Sequence, residues 1–269
     1  MGDVDLEALD SRIRTLLPEL YQDSYETLQP KPMRSAGLKY APDGRVAWNE
    51  MWGSFCDLAM AGGPPHKRTL LGPGLEADID ADFDRYDEAA EEICRGIRMV
   101  TGLRAYVSPA PGWVRVSCQG DAMAGWLLRA ITTENVGAPR QGALLDLPAA
   151  PQFRLDKEIK NVITVMAKTC HYWIGHTPRA RQEAIADLLL AMERETPLVE
   201  PSFEAEGRGW RGVECESVPA AIGMMRALVA SNVLARREGT VLFVPVNPET
   251  DPGGHRVGGR MRELIDAKT

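Results

Sequence analysis

The stretch NVLARREGTVLFVPVNP, Asn232 to Pro248, decides how this chain is read. A helical pattern ends before it, two arginines follow, Gly239 turns the chain, and an apolar strand begins. Two arrangements fit that order. One is the recognition helix and wing of a DNA-binding regulator. The other is the closing half of a β-α-β unit. A winged helix needs two consecutive helices before its hairpin, whereas here a single helical segment, 218–231, stands between strand patterns. After Pro248 the chain breaks into ETDPGGHRVGG, with no partner strand in sight. The expectation is a strand that returns parallel over a helix, since the connection is long enough for such a crossover.

The stretch also belongs to a repeat. Residues 112–151 align without a gap on 209–248 at an offset of 97, and 15 of the 40 positions are identical. Matched pairs include Trp113 with Trp210, Cys118 with Cys215, Arg129 with Arg226, Asn135 with Asn232 and Gly142 with Gly239. Such self-similarity predicts a duplicated supersecondary unit whose copies bury their apolar faces together. Upstream of each copy lies a predicted helix pair, near 48–61 and 81–100 before the first and 156–174 and 179–193 before the second. Phe83, Ala90, Ile93, Cys94 and Ile97 fall on one stripe of the second of these helices. The predicted unit runs helix–helix–strand–strand–helix–strand.

The fold class that follows is mixed α/β (α+β), an internal duplication preceded by a helical arm. The expected organisation is an arm and connector over 1–46, a first unit over 47–151, a second over 152–248 and a tail over 249–269. The arm is amphipathic through Leu6, Leu9, Ile13, Leu16 and Leu20, bent or ended near Pro18. The tail carries a short basic helix over 260–268.

Composition narrows the function classes. A net charge of −7 disfavours broad binding to nucleic acid or to anionic membrane. No run of apolar residues is long enough to span a bilayer. The five cysteines are odd in number, widely spaced and without a C-x-x-C pair, and no leader pattern precedes them. That usage points to reduced thiols in a cytoplasm and away from a structural zinc site.

The candidate chemistry sits mainly on LDKEIKNVITVMAKTCHYWIGH. Ile159, Ile163, Met166, Cys170 and Trp173 share one helical face, the buried one. Lys157, Lys160, Thr164, Lys168 and His171 line the other, either as a grip for an anion or as a solvated surface. His66 and Lys67 lie in GGPPHKRTLLGPG, whose glycines let backbone N–H groups approach an anion; a polar turn is the plainer reading. His176 occupies the matching junction of the second half. The expectation is therefore His66 and His171 as acid–base residues, with Lys67, Lys160, Lys168 and His176 as ligand contacts. No metal site is expected, because His171 and His176 could share an ion only if the helix ended between them. Cys118 and Cys215 precede helix N-termini, a place that can activate a thiol, but their repetition fits packing better. The acidic run over 76–92 lacks the glycine a calcium loop requires and suits a helix start.

No nucleotide, dinucleotide, zincin or hydrolase motif occurs, so cofactor and reaction stay unnamed. The leading expectation is a metabolic or biosynthetic protein that binds a small anionic molecule between its halves, with or without histidine catalysis. A non-catalytic assembly protein, acting through a homodimer or partner contacts, is the alternative. A DNA-binding regulator using Arg236 and Arg237 stands third.

Overall fold

The computed structural model describes residues 5–17, 37–51, 69–202 and 209–266. Among these are eight α-helices and two small antiparallel sheets, so the chain is mixed helix and sheet.

Helix α1 (Leu6–Leu16) opens on Asp5, whose carboxylate accepts the Ala8 N–H. Helices α2 (Glu76–Ala81) and α3 (Phe83–Thr101) meet at Asp82, which leaves helical geometry at φ −145°. The acids of 76–92 thus sit at two helix starts, where the dipole favours them. Gly102 ends α3 in the left-handed region, φ 71°, with its N–H on the Arg98 carbonyl. The buried stripe of α3 is Tyr86, Ala89, Ala90, Ile93, Cys94 and Ile97. Phe83, expected on it, is 59% exposed, because the kink at Asp82 starts α3 a turn before the packed face. Of the predicted helix near 48–61, Trp48–Glu50 form a 3₁₀ turn and 52–68 lie outside the described residues.

The first sheet has strand order β1 (Arg104–Val107), β2 (Trp113–Ser117), β4 (Leu144–Pro148), β3 (Arg140–Gln141). Helix α4 (Asp121–Thr133) connects β2 to β3. The second sheet orders β5 (Trp210–Glu214), β7 (Val241–Pro245), β6 (Arg236–Glu238), with α7 (Val218–Ala230) between β5 and β6.

Every named strand pair is antiparallel, which corrects the expected parallel return. The physical reason is in the turns. Gly142 (φ 58°) and Gly239 (φ 62°) each take the first place of a two-residue loop, where a tight hairpin demands positive φ. A short strand on the near side of each glycine therefore folds back on the strand after it. Parallel contact survives only as single bridges, Leu71 to Val136 and Val199 to Val233. The segment LVEP, expected as a strand, contributes just that second bridge.

The two sheets share a register. Trp113 faces Pro148 and Trp210 faces Pro245, and every further pair of the β5–β7 and β6–β7 ladders except Arg236 with Phe243 stands 97 positions after a pair of the first sheet. Asn135 and Asn232, also 97 apart, both hold positive φ, at 63° and 61°.

Helix α5 (Lys160–His171) is one rod with the π-helical turns Leu155–Ile159 before it and Tyr172–His176 after it. Its expected buried face is buried: Ile159, Ile163, Met166, Cys170 and Trp173 are each at most 3% exposed. Helix α6 (Arg179–Glu195) follows, and α8 (His255–Asp266) packs Val257 and Leu264 inward beside α7. One continuous apolar cluster joins both sheets and all the long helices, from Ile13 to Leu264. Helix α1 lies on α6 and α7, and its last turn is tied down by Arg181, whose guanidinium donates to the carbonyls of Arg14, Thr15 and Leu17.

Candidate functional site

Between the two sheets runs a buried polar seam. Arg129 on α4 is wholly buried and donates to the Gly125 carbonyl at 2.7 Å and to the Asn232 side chain. Burial holds its guanidinium down at about 10. Asn232 in turn donates to the Thr196 carbonyl at 2.7 Å. From the other side, Asn135 donates to the Arg237 carbonyl at 2.9 Å and accepts from Arg236 at 3.1 Å. Each asparagine can do this because an amide carries donor and acceptor together, and because asparagine tolerates positive φ better than most residues. Glu134 and Lys168 close a fully buried ion pair beside them.

A cleft of about 460 Å³ opens where the seam meets the surface, walled by Leu71, Pro73, Gln152, Trp210, Arg236 and Phe243. Register explains its wall. Trp210, Phe243 and Arg236 occupy one face of the second sheet, because Arg236 pairs with Phe243 while Trp210 pairs with Pro245 two positions on. Arg236 lies over both rings, 3.9 Å from the centre of Phe243 and 5.2 Å from that of Trp210. Its Nη1 donates to Asn135 and, at 2.6 Å, to Glu238. Its Nε is different, buried and without a hydrogen-bond partner, as are Trp210 Nε1 on the same wall and the Nε atoms of Arg129 and Arg140 elsewhere. Burial lowers the Arg236 pKa and Glu238 opposes that shift, so the group keeps its charge.

A second cleft of about 370 Å³ lies between the opposite face of this sheet and α8. Its buried acid, Asp251, is engaged by the N–H groups of Arg256 and Val257 at 2.9 and 3.1 Å, so it works as a cap.

Of the residues expected to form one site, those that the structure describes do not gather in one cleft. His66 and Lys67 lie outside the described residues. Lys160 and Lys168 do not face solvent, at 8% and 1% exposure. Lys168 is committed to Glu134, and burial lowers the Lys160 pKa. His171 and His176 are exposed at the far end of the rod and meet each other, Nε2 to Nε2, at 2.8 Å. Burial pushes the Cys118 thiol up to about 12, the reverse of an activated nucleophile, and Cys94 likewise. Arg236 and Arg237 are 4% and 3% exposed, held in the hairpin rather than displayed on a wing.

Sequence reasoning named Trp210 only as the repeat partner of Trp113, and Arg236 only under the third-placed DNA-binding alternative. The aligned stretches carried a signal for this juxtaposition: Arg236 aligns with Pro139, and Phe243 with Asp146, so the two stretches differ just where the cleft forms. Compared with protein-family models, curated proteins and solved structures, the chain matches none.

Proposed function

We propose that this protein binds a small anionic molecule in the cleft between its two sheet regions. Arg236 grips the anion, and Trp210 and Phe243 form the apolar wall. The observation that carries the reading is the unpartnered Nε of a buried arginine that lines the cleft. A buried donor left without an acceptor costs about 1–3 kcal/mol, more when it is charged. A carboxylate or phosphate oxygen removes that cost, and the edge of a guanidinium suits either group in a two-pronged contact. The Trp210 Nε1–H adds a neutral donor on the same wall. A cleft of this volume, mostly apolar with few convergent donors, has the character of a small-molecule site.

The repeat supports the same reading. We take the two sheet regions as copies of one unit, on the shared sequence positions and the shared register. Ligands in such arrangements lie between copies, where the differences accumulate. None of the described residues lining the cleft is a histidine, so the proposal is of binding, with no acid–base step assigned to it. The DNA-binding alternative loses the exposed arginines that suggested it.

Native mass spectrometry of gently purified protein, compared with its denatured mass, tests the proposal. The expected result is a retained small-molecule mass that the Arg236→Met variant lacks while keeping its circular dichroism spectrum. Ligand at a hundred times its Kd should stabilise the native state by about 2.7 kcal/mol, a rise in Tm of several degrees. An extra mass retained equally by Arg236→Met would place the ligand elsewhere and end this reading.

A further inference from the structure

We infer that His171 and His176 form a second, independent site, one that chelates a late first-row divalent cation of the Ni²⁺ or Cu²⁺ type. In an α-helix, five residues advance the chain by about 500°, which leaves side chains i and i+5 some 140° apart. The rod does not stay α-helical here. The π-helical turn Tyr172–His176 puts one more residue into the turn and brings the two imidazoles onto one side. Their Nε2 atoms stand 2.8 Å apart and the rings meet edge to face, with centres 4.6 Å apart.

Those two distances define a bite. With metal–nitrogen bonds of about 2.0 Å, nitrogens 2.8 Å apart subtend close to 90° at the ion. That is the angle between neighbouring ligands in square-planar and octahedral fields, which Cu²⁺ and Ni²⁺ prefer. Tetrahedral Zn²⁺ wants about 109°, for which the nitrogens would have to move apart to roughly 3.3 Å. The ring centres agree with a chelate. A collinear N–H···N bond of this length would hold them about 5 Å apart, whereas rings converging on a common ion at 90° sit about 4.5 Å apart.

The site is also chemically ready. Both histidines are exposed, so an ion can reach them without unfolding the chain. In the neutral pair one Nε2 carries the shared hydrogen. Metal binding moves that hydrogen to Nδ1 of the same ring, so two lone pairs face the ion and no net proton is released. No third His, Cys, Asp or Glu joins the pair among the described residues, so water or an added donor fills the remaining positions.

Isothermal titration of the whole protein with NiCl₂ at pH 7.5 tests the site. The expected result is one Ni²⁺ per chain, with affinity at least tenfold weaker in His171→Ala and in His176→Ala. His255→Ala, an exposed histidine on α8, should leave it unchanged. Binding preserved in the double variant His171→Ala/His176→Ala, or none in the wild type at millimolar Ni²⁺, would overturn the inference. Zn²⁺ binding more tightly than Ni²⁺ would overturn the right-angle geometry. Because Arg236→Met leaves both imidazoles in place, it should titrate like the wild type whether or not the cleft holds an anion.

Discussion

The two sheets share one register and differ at its middle. In the first, Arg115 and Asp146 face each other across β2 and β4 and close a bidentate pair at 2.7 Å on both prongs. In the second, the same two places hold Gly212 and Phe243. There the positive charge stands on the hairpin strand instead, as Arg236 over the Phe243 ring. A Cβ at Gly212 would come within 3.4 Å of Phe243, so the missing side chain leaves the ring its room. The first sheet pairs its central arginine on both prongs, and the second leaves the Nε of Arg236 without a partner. The lesson is that one register can carry different side-chain pairings: the two positions that hold an ion pair in the first sheet hold a glycine and an aromatic ring in the second.

The strongest way to break that comparison is at the end of α4, where Glu134 has Ser231 as its counterpart. Lys168→Met removes the ion-pair partner of buried Glu134 and should cost about 3–5 kcal/mol in chemical denaturation. Replacing both partners, Glu134→Leu with Lys168→Met, should restore most of that loss. A single-variant cost below 1 kcal/mol would show that the pair is not buried in solution.

The two asparagines come next. Asn135→Ala and Asn232→Ala each forfeit buried amide bonds and force alanine into positive φ, for an expected cost of about 2–3 kcal/mol apiece. Their effects should then part. Asn135 holds Arg236, so its loss should also weaken anion retention, while Asn232 bonds to Arg129 and Thr196 and should leave retention intact. Equal effects on retention would mean that Arg236 is positioned by something else.

A smaller change in stability, with a sharp change in binding, is expected on the sheet faces. Arg115→Met breaks a bidentate pair whose side chains are only 18% and 14% exposed and should cost about 1–2 kcal/mol, with any ligand-induced rise in Tm preserved. Arg236→Met should alter the unliganded protein by a similarly small amount and abolish that rise. The smallest effect is kinetic. With its thiol at about 12, Cys118 is almost wholly protonated at pH 8, so native iodoacetamide labelling should run about a thousandfold slower than for a free thiol. Rapid labelling of Cys118, located by peptide mass, would contradict its burial.

Helices were legible where periodicity was strong: the stripe from Ile159 to Trp173 is buried as its spacing requires. The hairpins were hidden because β3 and β6 are two and three residues long and polar, too short to show alternation. Their one sequence signal, a glycine after Gln141 and after Glu238, was read as an ordinary turn. The polar side of α5 misled for another reason. Lys168 finds its counter-charge 34 residues away, and no helical wheel displays a partner on another helix. His171 and His176 failed to look like neighbours because α-helical geometry was assumed through a turn that is π-helical. Arg236 was conspicuous in the sequence, but its burial was not, since that depends on the fold-back at Gly239 and on Asn135 a hundred residues earlier.

Helix α1 sets an order of events. Its seat is assembled from α6 and α7, and the Trp126 indole of α4 also donates to its Leu16 carbonyl at 3.1 Å. Eleven residues are too few to stay helical alone in water. During synthesis at about 5–20 residues per second, α1 therefore waits roughly 10–40 s for α7 to exist. The expected sequence is that the segment made early folds late, and pulsed hydrogen exchange on stalled chains would show α1 unprotected until the ribosome has released α7. The last turn of α7 thus acts as a completion mark: only a chain translated that far can fasten α1.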